Sequence, residues 1–126
     1  SAQFECLTSE LGGDTEWFIM LVPAKNSWEV FAHLGYGGWN AYPSAEEHIA
    51  IMRYWHEAHG AEPVVVTSDC IEMLVARPPS DPGACRALAL EQFAYTAGDL
   101  VFQGYGHFGT LARCLSSNRF WFFWWD

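Results

Sequence analysis

Basic side chains are scarce in this sequence: 6 Lys and Arg stand against 15 Asp and Glu, a net charge of −9 with histidine neutral. A binder of nucleic-acid phosphates draws its affinity from clustered Lys and Arg, so that class of function is excluded. Long apolar runs are missing too. The richest, Phe120 to Trp125, is closed at once by Asp126 and falls far short of the roughly 20 residues a membrane-spanning helix needs. Cys6, Cys70, Cys85 and Cys114 are dispersed, form no C-x-x-C pair and follow no signal-like apolar stretch. That usage predicts reduced thiols and a cytoplasmic setting over a pair of disulfides. No internal repeat or low-complexity tract occurs, and 51% apolar against 17% charged residues excludes intrinsic disorder. The 126 residues fit one domain, 1–126. Its first sixteen residues read as an amino-terminal extension or the remnant of a longer chain, because Ser1-Ala2-Gln3 opens without Met.

What is present is an alternation of strand-like and helix-like segments. Trp17 to Val22 is a short apolar run stopped by Pro23, the pattern of a strand covered on both faces. Asn26 or Ser27 can cap a brief helix through Leu34, and Gly35-Tyr36-Gly37-Gly38-Trp39-Asn40 forces a loop. Ser44-Ala45-Glu46-Glu47 spells a capping box for a helix that Gly60 stops, with His48, Ile51, Met52, Trp55 and Ala58 forming its core stripe. Val64 to Thr67 and Ile71 to Val75 read as a hairpin ended by Arg77-Pro78-Pro79. Asp81-Pro82 opens an Ala- and Leu-rich helix to about Ala97, broken by Gly98. Thr110 to Ser117 is a last short helix, and Arg119 to Trp125 a final strand. This order predicts an α+β, ferredoxin-like β-α-β-β-α-β arrangement, with helices packed on a mixed four-stranded sheet. The final strand alternates Trp121, Phe123 and Trp125 with Phe120, Phe122 and Trp124. So apolar a strand is expected to be covered on both faces, with Asp126 at the rim reaching water or Arg77.

Several patterns approach known chemistry without completing it. His56-Glu57-Ala58-His59 places its histidines at i and i+3, whereas the zinc-protease helix needs i and i+4. A metal would need a third ligand such as His48, His107 or Asp69, and solvated or helix-terminal histidines are the preferred reading. Gly104-Tyr105-Gly106-His107-Phe108-Gly109 spells G-x-G-x-x-G after apolar Leu100-Val101-Phe102. No second βαβ half follows it, so a plain glycine turn is preferred over a dinucleotide site and no cofactor is expected. The Gly35 to Asn40 loop lacks the Lys-Ser or Lys-Thr of a phosphate-binding loop. Its Trp39 and Asn40 could stack on and hydrogen-bond a ligand, although packing of Trp39 on the sheet is the simpler role. No G-x-S-x-G elbow is present, and no catalytic motif emerges. The acids Asp69, Glu72, Glu91 and Asp99 fall near element ends or in apolar elements, where a carboxylate needs a partner, with Arg77 the natural one.

The spelling Gly37-Gly38-Trp39-Asn40 with Pro43, then Trp55, Gly60-Ala61-Glu62, Asp69, Glu72, Arg77-Pro78-Pro79, Leu88-Ala89-Leu90-Glu91, Asp99, Gln103-Gly104 and Trp121-Phe122-Phe123-Trp124-Trp125-Asp126 resembles the bacterial domain-of-unknown-function family 4253. The resemblance runs from about Trp17 to Asp126, with the W-x-x-W-W-D ending its most specific element. It implies a bacterial, cytoplasmic domain and brings no activity, cofactor or catalytic residue with it.

Negative charge combined with dense aromatics, which are enriched at interface cores, points to a non-enzymatic protein-binding module with another protein as partner. The alternative is a small-molecule-binding domain or enzyme with a polar pocket around Asn40, Asp69, Glu72 and Arg77, joined by His107. Trp39, Asn40, Asp69, Glu72, Arg77, Glu91, Asp99 and His107 are thus the candidate binding residues.

Overall fold

The capping box at Ser44 forms as its spelling requires. The Ser44 hydroxyl accepts from the Glu47 N–H at 3.2 Å, and the Glu47 carboxylate accepts from the Ser44 N–H at 2.8 Å. In the computed structural model, which describes residues 16–126, this box starts helix α2, Ala45–His59, and Gly60 ends it in the left-handed conformation at φ 62°. A short helix α1, Val30–Leu34, precedes it, led by a 3₁₀ turn over Ser27–Glu29 whose entry Asn26 caps. Helix α3, Pro82–Tyr95, starts where Asp81 accepts from the Ala84 N–H at 2.9 Å. It closes two residues short of the expected end. A π-helical turn over Leu100–Tyr105 and helix α4, Phe108–Cys114, complete the helical set among the described residues.

Strands β1, Ala61–Val66, β2, Cys70–Val75, and β3, Phe120–Trp124, form an antiparallel sheet in the order β1-β2-β3. The expected hairpin is β1 and β2, beginning at Ala61 instead of Val64. The carboxyl-terminal strand pairs with β2, setting Ile71 opposite Phe123 and Met73 opposite Trp121.

The four-stranded mixed sheet of a ferredoxin-like arrangement does not form: the sheet has three strands, all antiparallel. The expected first strand, Trp17 to Val22, has no regular secondary structure and joins no sheet, and Phe18, Ile19 and Leu21 are 84%, 95% and 94% exposed. The reason lies in the edge it would have joined. β1 carries Pro63, which has no N–H to donate, and its register with β2 shifts between Pro63 and Val65. A proline and a bulge spoil the regular ladder that a further strand would need. An apolar run reports only that a segment could be covered, and here the partner edge is blocked.

The core lies between one face of the sheet and the helices. Trp121, Phe123 and, just past β3, Trp125 are buried there with Phe31, Met52 and Trp55. The Trp55 and Phe123 rings stack with centroids 5.2 Å apart. Phe120, Phe122 and Trp124, on the opposite face of β3, are only half-buried, so the expected two-sided coverage is complete on one side alone. Along α2, His48, Met52 and Trp55 are buried as the stripe predicts, whereas Ala58 reaches the exposed last turn. Asp126 is held away from Arg77. Its N–H donates to Asp99 Oδ2 at 3.1 Å, and its carboxylate accepts from the Gln103 amide at 3.4 Å.

Candidate functional site

The eight candidate residues do not converge on one site. Asp69 and Arg77 flank β2 at opposite ends, roughly 25 Å apart at about 3.3 Å per strand residue. Among the described residues Arg77 makes no ion pair with Asp69, Glu91 or Asp99. Its guanidinium donates to the carbonyls of Glu57, at 3.1 Å, and His56, at 3.4 Å. These are carbonyls in the last turn of α2, where a cation meets the negative pole of the helix; the His56 carbonyl also accepts from the Gly60 N–H at 2.8 Å. Glu72 is fully buried in β2, opposite Val65 and Phe122. His107 is exposed and enters α4 without a side-chain cap bond.

Asp69 and Asp99 contact the end of β3 and the residues just past it, and Trp39 is linked to them through Tyr42. Asp69 Oδ2 accepts from the Trp124 indole at 3.3 Å, while its carbonyl accepts from the Trp125 N–H at 3.2 Å. Asn40 is exposed in the left-handed conformation at φ 51°. Trp39 does not pack on the sheet: its ring lies against Tyr42, centroids 4.9 Å apart, and meets Tyr36 edge-on at 5.7 Å. Tyr42 in turn stacks on Trp125 and donates its hydroxyl to the Trp125 carbonyl at 3.1 Å. The glycine-rich loop is thereby bolted to the carboxyl-terminal strand through aromatic rings.

Beneath that loop lies a buried histidine. His48 Nδ1 and the Tyr95 hydroxyl share a hydrogen bond of 2.5 Å, the imidazole stacks on Phe31, and its far edge faces Gly37. Burial lowers the His48 pKa to about 4, an effect larger than the opposing pull of the Glu47 carboxylate, so the ring is neutral at physiological pH. Burial likewise pushes the Tyr95 phenol well above its ordinary value and the Cys70 thiol up to about 12, so both keep their protons.

The depressed histidine pKa makes stability depend on pH with a defined sign. Above about pH 6.5 the imidazole is neutral in folded and unfolded chains alike and contributes no slope. Between there and about pH 4, the unfolded chain takes up a proton that the folded one refuses. Stability should fall with falling pH across this window, by at most ~1.4 kcal/mol per pH unit, and level off below it. Denaturant titrations of the parent and of His48→Phe at pH 7 and pH 4.5 check this, because all other titrating groups are common to both. Equal pH dependence in the two proteins would refute it.

A cleft of about 450 Å³ opens between the Ala41–Pro43 segment, α2 and α3. Tyr42, Tyr54, Trp55 and Tyr95 give it an aromatic lining, and its charged lining groups are Glu47 and Glu91 with no Lys, Arg or His among them. Glu91 is fixed from both sides: the Tyr54 hydroxyl donates to Oε1 at 3.0 Å and the Trp55 indole to Oε2 at 2.8 Å. Neutral donors orient the carboxylate and leave its charge in place. Among the described residues Arg53 pairs with Glu57 at 2.9 Å and the His56 ring lies 3.7 Å from the Glu62 carboxylate, and neither contact involves the cleft acids. Of the eight candidates, Glu91 alone lines this cleft. Sequence reading missed Tyr42, Glu47, Tyr54 and Tyr95, since each is ordinary in its own element and acquires meaning only across elements.

The glycine run from Gly104 to Gly109 does not join a strand to a helix. Gly104 lies inside the π-helical turn and Gly109 inside α4, so the approach of a strand to pyrophosphate has no counterpart here. His56 contacts the Ala61 carbonyl and His59 the Arg77 carbonyl, each at 3.3 Å, where the helix ends. Among the described residues no three His, Cys, Asp or Glu side chains gather to hold a metal ion, and no helix is long and apolar enough to cross a membrane.

Fold and cleft together define an α+β domain whose aromatic center supports an acid-lined surface cleft. Residues 18–126 match the family described as domain of unknown function (DUF4253), and the chain belongs to that family. Three residues that carry the sequence resemblance, Pro43, Trp55 and Glu91, line the cleft. Comparison with curated proteins and with solved structures gives no match.

Proposed function

We propose that this domain is a non-enzymatic protein-binding module of the bacterial cytoplasm that engages a partner protein through the cleft between the Ala41–Pro43 segment, α2 and α3. The observation that carries the reading is the cleft's composition: aromatic walls, two carboxylates and no basic residue. Aromatic rings supply large contact area at low entropic cost, which is why interface centers are rich in them. The excess of acids over the whole chain adds a field that draws in a basic partner and makes association salt-sensitive. The free thiols of Cys70, Cys85 and Cys114 suit the reducing compartment proposed.

Selection from a random peptide library on the immobilised domain, followed by titration of the winners, tests the module. Ala94 lines the cleft and is exposed, so Ala94→Arg should fill the cleft without disturbing α3. Selected peptides are expected to bind the parent saturably and to lose about tenfold or more in affinity for Ala94→Arg. If no peptide binds saturably, or if Ala94→Arg binds as well as the parent, the reading is overturned.

A further inference from the structure

Resting on the reading of the cleft as a partner site, the geometry points to an arginine side chain of that partner as the group the cleft takes. Its two acids are Glu47, tied to the start of α2, and Glu91, tied to Tyr54 and Trp55. Both carboxylates are therefore held by neutral donors before any partner arrives, so little ordering remains to be done on binding. Each carboxylate oxygen has two acceptor sites, and the Glu91 oxygens have used one apiece on Tyr54 and Trp55. The capacity left over can accept the forked donors of a guanidinium.

The lining distinguishes between the two basic side chains. A lysine ammonium is a compact, strongly hydrated point charge, and aromatic walls replace its water poorly. A guanidinium is planar, weakly hydrated, stacks on aromatic rings and presents five donors in a fork that matches the free acceptor sites of the Glu91 carboxylate, with the Glu47 charge adding to the field of the cleft. Tyr42 and Tyr54 line the cleft with the acids, and Tyr54, 52% exposed, donates to Glu91, so a side chain that reaches Glu91 has an aromatic ring beside it. The cleft volume of about 450 Å³ leaves room for the aliphatic stem of the same residue, which suits an apolar lining.

The test uses Nα-acetyl-arginine N-methylamide as probe, with the lysine and citrulline counterparts as controls. Citrulline keeps the shape of arginine without its charge. The Trp55 indole N–H, which donates to Glu91, is the NMR reporter. The arginine compound is expected to shift this resonance saturably, the lysine compound to bind about threefold or more weakly, and the citrulline compound to leave the resonance in place. Glu47→Gln keeps a capping-box residue and removes one charge, and it should weaken arginine binding about threefold while lowering the melting temperature by no more than about five degrees. Arginine that titrates no better than citrulline overturns the assignment. So do cleft-bound library peptides that contain no arginine, and that result would leave the module reading standing. Loss of all saturable, Ala94-sensitive peptide binding would instead remove the module itself.

Discussion

Phe123→Ala is expected to destabilise the domain by about 3 to 5 kcal/mol, which for a chain of this length lowers the melting temperature by roughly 10 to 20 °C. Phe123 is fully buried in β3, parallel to Trp55 at 5.2 Å and edge-on to Tyr95 at the same distance. Removing the ring strips the stacking partner from Trp55, whose indole orients Glu91, and undercuts Tyr95, which holds His48. Because α2, α3 and the sheet all meet at this ring, the cavity cannot close by moving one side chain. Leu74→Ala is the control. That residue lies on the other face of the same sheet, 55% exposed, and its truncation should cost less than about 1 kcal/mol. Thermal or denaturant melts of both variants decide the matter. A Phe123→Ala protein melting within about two degrees of the parent would place β3 outside the core.

Gly37→Ala should be nearly as damaging, at about 3 to 5 kcal/mol, although it adds one methyl group. Gly37 has φ +97°, and a Cβ built there would stand 2.1 Å from the Pro43 carbonyl oxygen and 2.9 Å from His48 Nε2. The first contact is with backbone, so relief requires moving the Ala41–Pro43 wall of the cleft, and the backbone conformation itself disfavours an L side chain. Gly35 provides the comparison: it has φ +58° and nothing within 4 Å of its would-be Cβ. Gly35→Ala should therefore lose only about 1 kcal/mol. The same displacement of Pro43 should weaken peptide binding in Gly37→Ala and spare it in Gly35→Ala, as titrations with the library peptides would show. Equal stability of the two variants would mean that the loop is not seated on His48.

Legibility followed the range of the forces involved. The Ser44 capping box, the Gly60 stop, the Asp81-Pro82 start and the turn between β1 and β2 are spelled within a few residues, because each closes hydrogen bonds local to the chain. The burial of Trp121, Phe123 and Trp125 was also legible, since alternation along a strand is a local pattern. The segment from Leu100 to Tyr105 was not. Its apolar residues suit an approach to a glycine turn, yet it folds as a π-helical turn with Leu100 and Val101 in the core.

By itself, then, the sequence determined the caps, the helix spans to within a few residues, the hairpin, the aromatic core strand and the net negative charge. Only the tertiary structure decided the number of strands, because whether Trp17 to Val22 pairs depends on an edge that Pro63 blocks and not on its own composition. It also decided that Arg77 serves the end of α2 and that Glu91 belongs with Tyr54 and Trp55, 37 and 36 residues away. A carboxylate's partner is chosen by which elements pack together, and packing is set by the whole apolar surface at once. For that reason the sequence singled out Glu91 as a candidate, and the fold alone gathered Tyr42, Glu47, Tyr54 and Tyr95 around it.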